Sequence, residues 1–172
     1  QTVSGAITAA ADGAADITTN NTHGVTFSST IGAEGTDVGT VTVTASTIAK
    51  FSGAVNSNTI TVNGTATFGE NANEADTTLV IPGGATIKVG EAVAAGETVL
   101  EATAVTMAGG AGTVGLQMPA NFSTGTITLI DDDAGGDDIS AEVTDFTVVD
   151  TALVNYTVAS ATGDTSNIVV TA

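Results

Sequence analysis

Four short apolar runs in the middle of the chain open on threonine and follow one another at a nearly constant interval. They begin Thr40-Val-Thr-Val, Thr59-Ile-Thr-Val, Thr78-Leu-Val-Ile and Thr98-Val-Leu-Glu, with starts 19, 19 and 20 residues apart. Each is followed by a second apolar run, ending at Phe51, Phe68, Val89 and Met107. A period of this length with two short strands per unit marks a stacked, solenoid-like β structure. One such unit cannot bury its apolar side alone, so neighbours must stack and share a core.

Within the runs the alternation has period two. It puts Val41 and Val43 on one face and the threonines on the other, and Ile60 with Val62 and Leu79 with Ile81 repeat the placement. In parallel coils these pairs form an internal ladder with layers about 4.8 Å apart. Asn63-Gly64 and Pro82-Gly83-Gly84 read as corners, where glycine supplies the positive φ of a tight turn. Asn63-Gly64 is also a hairpin signal, which keeps an antiparallel β-sandwich as the alternative. The regular spacing favours the parallel β-helix.

The whole chain, 1–172, reads as a single β domain in three parts. Residues 1–39 are lead-in strands, at Thr2–Thr8 and Gly24–Ser28. Residues 40–107 are the repeat coils. Residues 108–172 hold strands at Thr113–Met118, Gly125–Ile130, Glu142–Val149, Ala152–Val158 and Asn167–Thr171. These lack the repeat spacing and are expected to form a C-terminal β cap over the open end of the stack.

Composition narrows the function. Aromatic residues make up 3% of the chain and tryptophan is absent, so the core must be built from small β-branched side chains, which suits narrow layered β structure. Nineteen acids stand against Lys50 and Lys88, with no arginine, for a net charge of −17. Such a charge repels phosphate backbones and anionic headgroups, which argues against nucleic acid and peripheral membrane partners. No apolar run is long enough to span a membrane, so no membrane insertion is expected. With no cysteine, stability rests on the core and the ladders rather than on disulfides. An acidic surface of this kind fits salty or calcium-containing surroundings, where counterions screen self-repulsion. A chain beginning at Gln1 reads as a processed secreted protein or as an excised piece of a longer one.

One loop is a candidate site. Asp131-Asp-Asp-Ala-Gly-Gly-Asp-Asp-Ile-Ser-Ala-Glu142 places acids at loop positions 1, 3 and 12 and Gly136 at position 6, most of an EF-hand pattern. Gly135 stands where position 5 should supply a ligand, and the flanks are strand-like, so the EF-hand itself does not fit. The candidate that remains is a calcium site of another geometry, built from Asp131, Asp133, Asp137, Asp138 and Glu142. It is weighed against the ordinary reading, a solvated acidic turn. His23, the single histidine, lies among turn-formers with no nucleophile motif beside it, and no further His or Cys is present to complete a transition-metal site. Lys50 and Lys88 fall in equivalent strands of the first and third repeats and read as neutralising exposed faces. Two cations and no tryptophan are poor material for a saccharide-cleaving groove, so no enzyme is expected.

The runs Thr40-Val-Thr-Val, Asn58-Thr-Ile-Thr-Val-Asn-Gly and Leu79-Val-Ile-Pro-Gly-Gly-Ala-Thr-Ile resemble the passenger repeats of bacterial autotransporter and haemagglutinin-type surface adhesins. Gly125-Thr-Ile-Thr-Leu-Ile-Asp and Val149-Asp-Thr-Ala-Leu-Val-Asn-Tyr are similar to the end region of such passengers. The resemblance spans residues 40–171 and is one of composition and rhythm. It implies a right-handed parallel β-helix on the cell surface, without a cofactor. The expected function is that of a secreted, non-enzymatic building block of a fibre, surface layer or adhesin stalk. Its partners would be copies of itself or adjoining modules of a larger surface protein, joined through strand edges. The alternative is a calcium-dependent module that binds carbohydrate or protein.

Overall fold

The computed structural model describes residues 1–69, 77–108, 110–132, 136–151 and 153–172. Strands are numbered in chain order. One sheet has seven strands, β1 (Thr2–Val3), β3 (Val25–Phe27), β5 (Ile48–Phe51), β7 (Thr65–Phe68), β9 (Thr86–Val89), β12 (Val114–Gln117) and β14 (Phe146–Val148), adjacent in that order. A second has five, β2 (Ile17–Thr19), β4 (Val38–Val43), β6 (Ser57–Val62), β8 (Thr78–Pro82) and β11 (Ala104–Ala108), again stacked in that order. Every pairing within these two sheets is parallel. The chain passes from the five-stranded sheet to the seven-stranded one and back, rising one rung each time. This is a parallel β-helix.

The repeat holds for three of its four members. Thr40 sits beside Thr59 and Thr59 beside Thr78, so the 19-residue period is the length of one coil. The fourth member departs from expectation: Thr98 pairs with Thr128 in a third sheet, and Ala104 takes the place on Thr78. The reason lies in the run itself. Val99 and Leu100 are neighbours, project to opposite faces, and are both fully buried. A strand covered on both sides cannot lie in a wall with one solvent face. It forms β10 (Thr98–Glu101), paired in parallel with β13 (Thr126–Asp131), which in turn pairs antiparallel with β16 (Asp164–Thr171) and through it with β15 (Thr157–Ala161).

The lead-in strands belong to the stack. Ile17 lies on Val41, and Thr2 on Thr26. Near the other end, the expected strand Glu142–Val149 begins instead as a 3-10 turn, Ser140–Asp145, and only Phe146–Val148 is extended. Asp138 Oδ1 accepts the Ser140 N–H at 3.0 Å and turns the chain there. The strand expected at Ala152–Val158 starts late, at Thr157. Asp150 Oδ1 accepts the Tyr156 N–H at 2.8 Å and holds the approach in a loop, and Ala152 lies outside the described residues.

The core consists of columns of like residues. Val41, Ile60 and Leu79 stack along the five-stranded sheet, and Ala49, Ala66, Ile87 and Leu116 along the seven-stranded one, all buried. Phe27, Phe51 and Phe68 form an aromatic stack with centroids 5.4 and 5.2 Å apart and ring planes 5° and 14° from parallel. Each such pair adds about 0.5–1.5 kcal/mol beyond burial. Corner carbonyls are closed by threonine hydroxyls, buried at Thr47 and Thr77 and half-buried at Thr44. Thr44 Oγ1 donates to Thr19 O at 2.7 Å, Thr47 Oγ1 to Thr44 O at 2.7 Å, and Thr77 Oγ1 to Ser57 O at 2.8 Å. An unpaired buried carbonyl costs about 1–3 kcal/mol, so these threonines do structural duty.

The Asn63-Gly64 step is a corner between β6 and β7, which pair with other coils and not with each other, so no hairpin forms. Its glycine is required for a reason other than the one expected, since Gly64 is not among the positive-φ residues. A Cβ there would run into Thr44 O and lie 2.6 Å from Thr47 O, both backbone atoms of the coil below.

Two substitutions test the stack. Phe51→Ala removes the middle ring and should cost about 3–5 kcal/mol in denaturant unfolding, more than a single edge ring would. Gly64→Ala and Gly64→Asn should each cost about 1–3 kcal/mol through coil-to-coil overlap. A left-handed turn position would instead tolerate the asparagine, so near-native stability of Gly64→Asn would contradict close approach as the cause.

Candidate functional site

The acidic loop leaves the end of β13. Asp131 closes that strand, half-buried in the ladder between Glu101 of β10 and Asn167 of β16. Asp132, which the loop pattern passed over, is the fully buried acid. Its N–H donates to Ser166 O at 3.0 Å and its carbonyl accepts from Gly136 N at 2.7 Å. Asp133 lies outside the described residues. Asp137 and Asp138 are exposed, and Glu142 is half-buried on the 3-10 turn with one carboxylate oxygen shielded from solvent. Among the described residues, no three acidic, histidine or cysteine side chains converge closely enough to hold a metal ion. Strand pairing places Asp131, and the Asp138 carboxylate accepts the Ser140 N–H of the turn.

Asp138 and Asp164 share one local device. The Ser140 hydroxyl, then its backbone N–H, holds the Asp138 carboxyl below the ordinary aspartate value, against a small opposing effect of desolvation. Ser166 does the same for Asp164, where its hydroxyl donates at 2.6 Å and its N–H at 3.0 Å, while Asn167 Nδ2 donates to the other oxygen at 2.7 Å. Both acids are turn-formers of the Asx kind.

His23 is exposed in the turn Asn21–Gly24. Its N–H donates to Asn21 Oδ1 at 2.9 Å, and among the described residues its ring meets only the Thr22 hydroxyl, at 3.5 Å.

The two lysines lie closer in space than their separation in sequence suggests. On the outer face of the seven-stranded sheet the register runs Lys50, Thr67, Lys88, Gln117, one residue per rung. With rungs about 4.8 Å apart, the two lysine Cα atoms are about 10 Å apart. Both line one open cleft of about 240 Å³, with Thr67, Gln117, Glu91 and Met118 among its walls. Neither lysine forms a salt bridge with a described residue. The signal was present in the sequence, since residues 50 and 88 are two 19-residue repeats apart. What the sequence lacked was a reason to treat equivalent positions as one site.

A folded-state pKa below the unfolded one stabilises the fold fully above the ordinary value of 3.8, and that contribution is lost as pH falls through the lowered folded value. Ser166→Ala should therefore move the Asp164 carboxyl up toward 3.8 in a carboxyl NMR titration, and acid unfolding should begin at higher pH. An unchanged Asp164 titration would contradict the hydroxyl as the main cause.

Comparison of the chain with known protein families, with curated proteins and with solved structures finds no match.

Proposed function

We propose that this β-helix is a secreted, non-enzymatic structural module, a rod segment of an extracellular fibre, surface layer or adhesin stalk. The observation that supports the reading is the open edge of the first coil, set against the last strand of the seven-stranded sheet. That last strand, β14, is met by the 3-10 turn and by β15 of the third sheet. At the other end, β1 and β2 are the outer strands of their sheets. Val3, Ile7, Ile17 and Val25 there are only partly buried against the core. An unpaired parallel edge with apolar residues beneath it is a template for another coil. That coil would come from a second copy or from an adjoining module.

The outer face of the five-stranded sheet suits a rod that must stay soluble along its length. Thr40, Thr59 and Thr78 form one column and Thr18, Thr42 and Thr61 another, with no charged side chain in either. The resemblance to adhesin passenger repeats points to the same kind of object. No helix among the described residues is long and apolar enough to cross a membrane.

Association should be suppressed at low ionic strength by the −17 charge and appear as salt shortens the Debye length to about 8 Å at 0.15 M. Light scattering and electron microscopy at 0.15 M salt or above should show end-to-end oligomers. Thr18→Lys, which adds a charge to the outward face of the β2 edge, should reduce them while leaving the melting temperature near that of the parent. A monomer at every salt and protein concentration would overturn assembly through this edge.

A further inference from the structure

We propose that the cleft between Lys50 and Lys88 is a binding site for a linear acidic polysaccharide, a polyhydroxylated chain whose carboxylate or sulfate groups meet the two ammonium groups in turn. The argument starts from where charge is placed. The strands of the seven- and five-stranded sheets contain no aspartate or glutamate, while both lysines of the chain lie in the seven-stranded one. They share a single column and a single cleft.

Charge balance alone does not explain this placement. Position 67 lies one rung from each lysine, and an acid there would bridge both, since opposite charges on facing strand positions attract. The residue is Thr67. Among the described residues neither lysine is salt-bridged, and both line the cleft, Lys50 exposed and Lys88 half-buried.

The column continues in both directions with groups that can donate hydrogen bonds. Thr2, Thr26, Lys50, Thr67, Lys88 and Gln117 follow one another rung by rung, a line of about 24 Å at 4.8 Å per rung. Residues on the strands between them, Ala49, Ala66, Ile87 and Leu116, point into the core, so the line is the outward one. A polymer lying along the solenoid axis would present hydroxyls to Thr67 and Gln117 and an anionic group to each lysine. A single small anion could meet only one lysine at full strength. Met118 and Val89 give the cleft an apolar flank, and Glu91 at its rim is the one acid among the described residues of the lining.

The rest of the protein opposes this ligand, which fixes how binding depends on salt. At 0.01 M salt the Debye length is about 30 Å and the polymer feels the whole −17 charge. At 0.15 M it is about 8 Å, so the polymer feels the two lysines and little beyond them. At 1 M the lysines are screened too. Affinity should therefore pass through a maximum near 0.15 M.

The test is calorimetric or surface-based binding of the full chain to polygalacturonate, dextran sulfate and neutral dextran at the three salt concentrations. Expected are weak binding of one or both anionic polymers, no binding of dextran, and a maximum at the middle salt. Preference between the two anionic polymers tells carboxylate from sulfate. Lys50→Gln and Lys88→Gln should each weaken binding about three-fold and the pair about ten-fold, as exposed ion contacts do. Glu91→Gln should tighten it about two-fold. Melting curves of the variants should match the parent, because both lysines lie on the outer face. No binding of either anionic polymer at any salt, equal binding of dextran, or an unaffected double variant would each overturn the site. Oligomeric state, read on the same samples, keeps this outcome separate from assembly through the β2 edge.

Discussion

Everything in this molecule hangs on the hydrogen-bonded contact between one coil and the next, made in register so that each residue lies on its counterpart. Thr40 on Thr59 on Thr78, and Phe27 on Phe51 on Phe68, are consequences of one rule. Parallel ladders with a fixed rung height leave room only for side chains that tolerate a copy of themselves about 4.8 Å away. Valine, isoleucine, alanine and threonine do, as do rings that stack face to face with an offset.

The same constraint decides how polar groups are treated. A coil has no helix or hairpin at its corners to satisfy carbonyls that turn inward. Short hydroxyl side chains do that instead, at Thr44, Thr47 and Thr77, and each closes a carbonyl within its own corner or in the coil below. Where even a methyl would separate the coils, glycine is required, as at Gly64 against Thr44 and Thr47. These contacts are repeated along the stack, so a chain without cysteine can be held by the ladders alone.

Much of this was legible in the sequence. The 19-residue spacing of Thr40, Thr59 and Thr78 gave the coil length, and alternation within the strands gave the inward residues. Thr98 was misplaced because the interval alone does not say which sheet a strand joins. Leu79 and Val80 are adjacent apolar residues as Val99 and Leu100 are, but Val80 stays half-buried on the outer face of the wall while Val99 and Leu100 are both fully buried. The lead-in strands were underrated because β2 and β4 are 24 residues apart in register, not 19. In the acidic loop, spacing pointed to Asp131, Asp133, Asp137, Asp138 and Glu142 as a group. That Asp131 stands in a ladder between Glu101 and Asn167, and that Asp138 caps a turn, could be recognised only once the strand pairing was known. Asp132 was passed over because a loop pattern says nothing of which side of a strand end faces inward.

In-register stacking also governs where charge can go. An acid at an outward strand position invites an acid on the next rung when a coil is duplicated, and two carboxylates about 4.8 Å apart repel. The strands of the two solenoid sheets hold no acid, and the described acids lie in turns, loops and the third sheet, where successive coils differ. The lysines are the exception that obeys the rule. They occupy alternate rungs with a threonine between, about twice as far apart as a direct stack would put them. A wall that tolerates no adjacent charges but keeps two like charges at the next distance allowed has kept them where repulsion is weaker than in a direct stack and a single extended ligand can still reach both.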